Sequence, residues 1–183
     1  MKSLFTLALA VITTAAVAQT TTYGSFKLVD QELIYQKVFT QDSITVAKLS
    51  EYYQTLPYLS NVAQQGEEVN FEFNDLIVDY KKFQFAQVGV PPIIQTGKYS
   101  GKAYVNVKDG KYRLTITNIQ MTGNIGYKNI NAKENLTNYA CKNNGTFIDQ
   151  NWCKPNTLGL LEKAFTDKFQ FVEVAKKKND GDW

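Results

Sequence analysis

The sequence predicts an α+β fold, a two-layer arrangement in which two helices cover one face of a single antiparallel sheet. Three observations carry this expectation. An Asp109-Gly110 turn joins two alternating runs between Tyr99 and Gln120. Two stretches, from Asp42 to Pro57 and from Asn156 to Val172, place apolar residues at helical spacing. Tyr and Phe number 11 each, which suits a sheet with aromatic packing. Helices with one apolar face each must bury that face against the sheet, and the opposite sheet face stays open to water.

The first residues read as a leader. Lys2 supplies a positive charge, Leu4 to Val17 is apolar and small, and Ala16-Val17-Ala18 has the small-x-small form of a signal-peptidase site. Cleavage after Ala18 is expected, with residues 1–18 removed and 165 left (183 minus 18). That suits one domain with a sizeable core. The stretch is too short and too rich in Ala and Thr for a membrane anchor, and no Cys follows the cleavage site to carry a lipid. A location in the periplasm or outside the cell follows, with no transmembrane segment after cleavage. Net charge is +3, or +2 without Lys2, too small an excess to argue for nucleic acid or an anionic membrane.

The elements follow in chain order. Residues 19–29 read as a flexible lead-in to a domain spanning 30–175. Glu32 to Thr40 (ELIYQKVFT) reads as a strand rich in β-branched and aromatic residues. Asp42 or Ser43 is expected to cap a helix carrying Val46, Leu49, Tyr53 and Leu56 on one side, ending at Pro57. Asn61 to Glu68 reads as a loop. Val69, Phe71 and Phe73 alternate with polar residues, and a turn at Asn74-Asp75 would pair Phe73 with Leu76, Phe71 with Val78 and Val69 with Tyr80. The return strand of that hairpin would run through Lys81 to Ala86.

Val88 to Ile94 (VGVPPII) carries a Pro pair that forbids a central strand. It reads either as a loop tucked over a core edge or as an exposed patch that docks a partner. The Asp-Gly hairpin then fixes its own register, because both residues of a type I′ turn need positive φ. Lys108 faces Lys111, Val107 faces Tyr112, Asn106 faces Arg113, and Val105 faces Leu114. Tyr104 faces Thr115, Ala103 faces Ile116, and Lys102 faces Thr117. One side holds the apolar set; the other holds Lys102, Tyr104, Asn106, Lys108, Lys111, Arg113, Thr115 and Thr117. The hairpin is expected to form the end pair of strands in the sheet.

Residues 122–157 read as a long irregular insert, rich in Asn and Gly, stapled by a disulfide between Cys141 and Cys153. Asn135-Leu136-Thr137 and Asn144-Gly145-Thr146 match the glycosylation acceptor pattern, which matters only in a host that glycosylates. Asn156 or Thr157 starts a last helix with Leu158, Leu161, Phe165, Phe169 and Val172 on one side. Lys176-Lys177-Lys178 reads as its solvated end, and residues 176–183 as a frayed tail.

The resulting order, β-α-β4-α, matches the TBP-like fold. From about Asp30 to Met121 the chain also resembles a domain of unknown function with that fold found in secreted Bacteroidetes proteins. ELIYQKVF at Glu32–Phe39, the helix after it, and DGKYRLTITNI at Asp109–Ile119 carry the likeness. The insert and last helix depart from the short form of that domain. The resemblance implies a fold and an envelope or extracellular location. It implies no activity, and the fold name by itself implies no DNA binding.

The search for chemistry mostly excludes. There is no histidine, which removes the commonest general base and metal ligand and rules out Ser-His-Asp and Cys-His constellations. Ser100-Gly101-Lys102 is a Ser-x-Lys arrangement on one face of a strand, but a Ser/Lys dyad also needs a buried lysine of depressed pKa, so it reads as a chance match. No phosphate loop, calcium loop or zinc spacing is present, so no cofactor or metal is implied. What remains is a binding or interaction module. Its candidate ligand-binding residues are Lys102, Tyr104, Asn106 and Arg113, aromatic and cationic groups suited to anionic glycans or acidic peptides of the envelope. The same face also reads as an ordinary wet one. The alternative is an envelope hydrolase using carboxylates among Glu67, Glu68, Glu72 and Asp75. A third reading is assembly by strand addition at an exposed edge.

Overall fold

In the computed structural model, which describes residues 20–173, the Asp-Gly hairpin forms at the register its turn dictates. Strands β6 (Lys98–Lys108) and β7 (Lys111–Asn124) align in all seven expected pairs from Lys102↔Thr117 to Lys108↔Lys111. Asp109 and Gly110 have φ of 50° and 68°, the left-handed values of a type I′ turn. The expected leader (1–18), the lysine run at 176–178 and the tail lie outside the described residues.

The hairpin is central, not terminal. Strand β3 (Glu32–Thr40) pairs with β7, from Tyr35↔Ile116 to Thr40↔Lys111. Strand β5 (Glu68–Ile77) pairs with β6. With β1 (Thr22–Tyr23), β2 (Phe26–Val29) and β4 (Leu59–Gln65), the order is β1-β2-β3-β7-β6-β5-β4, and β8 (Asn129–Asn135) pairs with the far end of β7. The sheet has eight strands and every pairing is antiparallel. Alternation inside a hairpin reports its two faces, but nothing about which edges other strands will claim.

Several expectations are corrected. The lead-in is ordered as β1 and β2, because Phe26 is fully buried against Tyr35 and Phe165 at ring distances of 5.4 and 6.0 Å. The second hairpin turns at Gly66-Glu67, with Gln65 opposite Glu68 and Gly66 at φ 60°. Asn74-Asp75 is instead a bulge inside β5, where the register shifts between Phe73 and Leu76 and Asp75 takes φ 54°. No return strand forms at 81–86. Edge strand β4 carries its own irregularity between Ser60 and Ala63, with Asn61 at φ 55°, a feature that discourages strand addition.

Helix α1 (Val46–Gln54) is capped by Thr45, whose hydroxyl accepts from the Lys48 N–H at 3.2 Å. The expected cap Ser43 sits instead at φ 58° in the preceding turn. Short α2 (Pro92–Thr96) starts with a proline at its first turn, where the missing N–H costs nothing. It resolves the VGVPPII question residue by residue: Val90, Ile93 and Ile94 are buried, while Val88 is 97 % exposed.

The insert, expected to be irregular, is partly regular. β7 runs on to Asn124 and β8 returns, followed by α3 (Thr137–Ala140) and a small hairpin of β9 (Cys141–Lys142) and β10 (Phe147–Ile148). Ile130, Leu136, Ala140 and Ile148 enter the core. Cys141 and Cys153 are free thiols, so no disulfide staples the segment, and burial pushes the Cys141 thiol up to about 11. Backbone bonds hold it instead, among them Asp149 N–H to Ala140 at 2.8 Å and Cys153 N–H to Asp149 at 3.2 Å.

Helix α4 (Leu158–Phe169) follows Thr157 and buries Leu158, Leu161, Phe165 and Phe169 as its spacing requires; Val172 lies past its end and is exposed. Phe165 meets Tyr35 and Phe73 at 5.3 and 5.8 Å, Phe169 meets Phe73 and Phe71 at 4.9 and 5.6 Å, and Tyr53 of α1 lies 4.6 Å from Phe71. The carbonyls at the end of α4, which have no partner inside the helix, accept from tyrosines. Tyr58, Tyr53 and Tyr52 donate to Lys168, Phe169 and Gln170 at 2.8, 2.8 and 3.1 Å. No helix among the described residues is long and apolar enough to cross a membrane.

Two measurements test this packing. Ile94→Ala is expected to cost about 2–5 kcal/mol, and Val88→Ala less than about 0.5 kcal/mol, in urea unfolding. Equal effects would mean the loop is packed differently. The second test is alkaline titration. Burial pushes Tyr58 and Tyr112 up to about 12, and Tyr53 and Tyr99 up as well, against about 10 for an unfolded tyrosine. The folded state therefore binds these protons more tightly. Its stability holds below about pH 10 and falls as pH rises through the folded values. The part of the tyrosinate absorbance that comes from these four tyrosines should rise above about pH 10, together with unfolding.

Candidate functional site

The register of β5, β6 and β7 brings the polar residues of the hairpin into rows. One row is Glu68, Asn106 and Arg113; the next is Asn70, Tyr104 and Thr115; the third is Glu72, Lys102 and Thr117. Side chains bond along the rows. Asn106 donates to Glu68 at 2.8 Å and Arg113 reaches the Asn106 carbonyl oxygen at 3.5 Å. Lys102 and Glu72 form an ion pair at 3.1 Å, and Asn61 of β4 donates to the other Glu72 oxygen at 3.1 Å. Gln36 of β3 continues the middle row by donating to Thr115 at 2.9 Å. Asn61, Asn70, Glu72, Lys102 and Tyr104 line a depression of about 220 Å³.

All four sequence-predicted residues therefore lie side by side, and Glu68 and Glu72 of the acidic cluster join them. The cluster itself does not converge. Glu67 is exposed in the β4–β5 turn, and Asp75 sits in the bulge beside Lys98 at 4.0 Å. The hydrogen bond from Lys102, followed by that from Asn61, holds the Glu72 carboxyl below its ordinary range. A glycosidase acid needs the opposite shift, so that it keeps a proton at neutral pH. Among the described residues, no group of three or more His, Cys, Asp or Glu could hold a metal ion.

A second concavity was not foreseen. It is a cleft of about 690 Å³ between α4, the β1–β2 turn and the loop around Phe83 and Phe85. Its floor is a polar network. Ser25 donates its hydroxyl to Glu162 at 2.7 Å, Lys37 reaches Glu162 at 3.7 Å and Thr166 at 3.0 Å, and the Tyr35 hydroxyl lies 3.0 Å from that of Thr166. Gly24 permits this approach: it has φ of +56°, and a Cβ there would fall 2.0 Å from a Glu162 oxygen. At the rim, Lys163 sits 5.8 and 5.7 Å from the Phe83 and Phe85 ring centres, and Lys82 pairs with Asp167 at 2.6 Å. One signal was present in the sequence. Lys37 occupies the same strand parity as Leu33, Tyr35 and Phe39, all of which are buried.

No protein-family model matches this chain, and no curated protein is similar to it at a significant level. Two solved structures are similar to it. One is described as a DUF4468 family protein from Bacteroides ovatus, with 14% identity, 79% of this chain and 83% of that chain covered, and a TM-score of 0.43. The other is described as a TBP-like protein from Parabacteroides distasonis, with 12% identity, 76% and 88% covered, and a TM-score of 0.44. The descriptions coincide with the resemblance drawn from the sequence, a TBP-like-fold domain of unknown function. Nothing about activity follows from them.

The paired state of Glu72 can be measured. Its carboxyl carbon, followed by NMR, should titrate below the ordinary glutamate range. Lys102→Met should move that midpoint upward, because the largest cause of the depression is removed. The depressed carboxylate contributes stability above its unfolded pKa, and that contribution fades as pH falls through the folded value. An unmoved midpoint in the Lys102 variant would show that the ion pair does not form.

Proposed function

We propose that this chain is an exported, non-catalytic binding module. In this reading it is a two-layer domain of TBP-like architecture, with α1 and α4 covering one sheet face and the other face contacting a partner of the envelope or cell exterior. The leader-like residues 1–18 support export. The aromatic contacts of α1 and α4 with Tyr35, Phe71 and Phe73 support the layering.

The observation that carries the binding role is the depression around Tyr104. A half-buried aromatic ring lies among Asn61, Asn70, Glu72 and Lys102, and Asn61, Glu72 and Lys102 are already held to one another by a hydrogen bond and an ion pair. Fixed amide, carboxylate and ammonium groups beside a ring can bind a polar ligand with little further ordering cost. The charge balance refines the ligand class. Lys102 is answered by Glu72, and Arg113 joins a row ending at Glu68. Within the depression the lysine is paired, so a neutral glycan fits there better than the anionic glycan or acidic peptide that the sequence alone suggested. Lys108 and Lys111 lie outside it at the hairpin end, without an ion pair among the described residues.

A glycan array and a pull-down from envelope fractions, each with the purified mature chain, test the proposal. The native protein should retain a neutral glycan with little dependence on salt. Tyr104→Ala should weaken that retention by about tenfold, the equivalent of about 1.4 kcal/mol. Steep salt dependence would point to an anionic ligand instead. Retention unchanged by Tyr104→Ala, or no retention at all, would remove the proposal.

A further inference from the structure

The cleft beside α4 shares no residue with the Tyr104 depression. Its volume of about 690 Å³ lies within the range of small-molecule sites. Its walls include Tyr23, Phe83, Phe85 and Pro155, so a ligand there would bury an apolar body. The charged groups around it are not equivalent. Lys37 is engaged with Glu162 and Thr166, and Lys82 with Asp167. Asp167 lies one helical turn from Lys163, but its Oδ1 is held by Lys82.

Lys163 differs from both lysines. Among the described residues it makes no ion pair, and its ammonium rests over two phenylalanine rings. Ring faces hold a cation in position without neutralising it. The floor is different again, because the Glu162 carboxylate occupies it and would repel a second anion. An incoming negative group is therefore directed to the Lys163 rim, and the apolar body to the Tyr23 and Pro155 end.

We propose that this cleft binds a small amphipathic carboxylate, with an apolar body between Tyr23, Phe85 and Pro155 and a single carboxylate on Lys163. The mixed character of the cleft selects for both parts. A purely apolar ligand leaves Lys163 without an anion, and a polyanion meets Glu162 and Asp167.

Isothermal calorimetry on the purified mature chain tests this with four probes. They are 4-phenylbutyrate, its neutral amide, N-acetylphenylalanine and N-acetylphenylalaninamide. Each acid should bind saturably and about tenfold tighter than its amide. Lys163→Met keeps the stem over the rings and removes the charge, and in that variant acid and amide should bind alike. Preference for N-acetylphenylalanine would identify a peptide C-terminus as the source, and preference for 4-phenylbutyrate a free organic acid; both support the site. Equal binding of acid and amide to the native protein, discrimination surviving in Lys163→Met, or no saturable binding of any probe at millimolar concentration would overturn it. Tyr104→Ala serves as a control that should leave all four affinities unchanged, so the two sites fail or stand separately.

Discussion

The placement of α4 depends on two phenylalanines. Phe165 and Phe169 lie one turn apart and together touch Phe26, Tyr35, Phe71 and Phe73, drawing rings from β2, β3 and β5 into one cluster. Each ring of this size buries about 150–250 Å², or about 4–6 kcal/mol of gross transfer free energy before entropy is counted. Once those rings are seated, the end of α4 faces α1. Its last carbonyls lack partners inside the helix, and the buried Tyr53 hydroxyl would be orphaned too. Tyr53 and the Phe169 carbonyl satisfy each other, and the more exposed Tyr52 and Tyr58 donate to the neighbouring carbonyls. Apolar burial and polar satisfaction thus fix the same two helices relative to each other, and Tyr112 extends the arrangement by accepting from the Phe171 N–H at 2.8 Å.

What was legible in the sequence was local and doubly specified. The Asp-Gly hairpin is set by a turn and by alternation, and both give one register. Strand β3 appears over the residues its composition marks, Glu32 to Thr40. The second hairpin fails on this criterion. Gly66-Glu67 and Asn74-Asp75 both turn the chain plausibly, and β5 alternates whichever is chosen. The arbiter would have been β4, but an edge strand with half-exposed residues on both sides has no period to read. β1 and β2 were missed because two and four residues are too short for a pattern, although Phe26 anchors them. The disulfide was inferred from compartment rather than geometry, and the hydrogen bonds that hold the insert could not be seen in composition.

Of the two candidate surfaces, the sequence located one. Period-two alternation collects Lys102, Tyr104, Asn106 and Arg113 on one side of a hairpin without any tertiary knowledge. It could not show that Glu68 and Glu72 would pair with them, because that requires the register between β5 and β6. The pairing changes the chemistry expected of the face. Where the sequence showed a cationic aromatic patch and a separate acidic cluster, the structure pairs Lys102 with Glu72 and leads Arg113 through Asn106 to Glu68.

The cleft has a simpler origin, in one residue of β3. Lys37 lies on the inward parity between Tyr35 and Phe39, and an ammonium cannot be sealed under an apolar helix face. Its stem can lie along the sheet while its head seeks oxygen. Glu162 and Thr166, one turn apart on α4, supply that oxygen, and Ser25 secures Glu162 from the β1–β2 turn. α4 therefore presents polar side chains there, where an apolar stripe would close the interface. Close aromatic packing is complete again at the next inward position, where Phe39 stacks on Tyr112 at 4.9 Å. A lysine in the core row thus accounts for the polar floor of the opening, and the aromatic loop at Phe83 and Phe85 walls it without filling it.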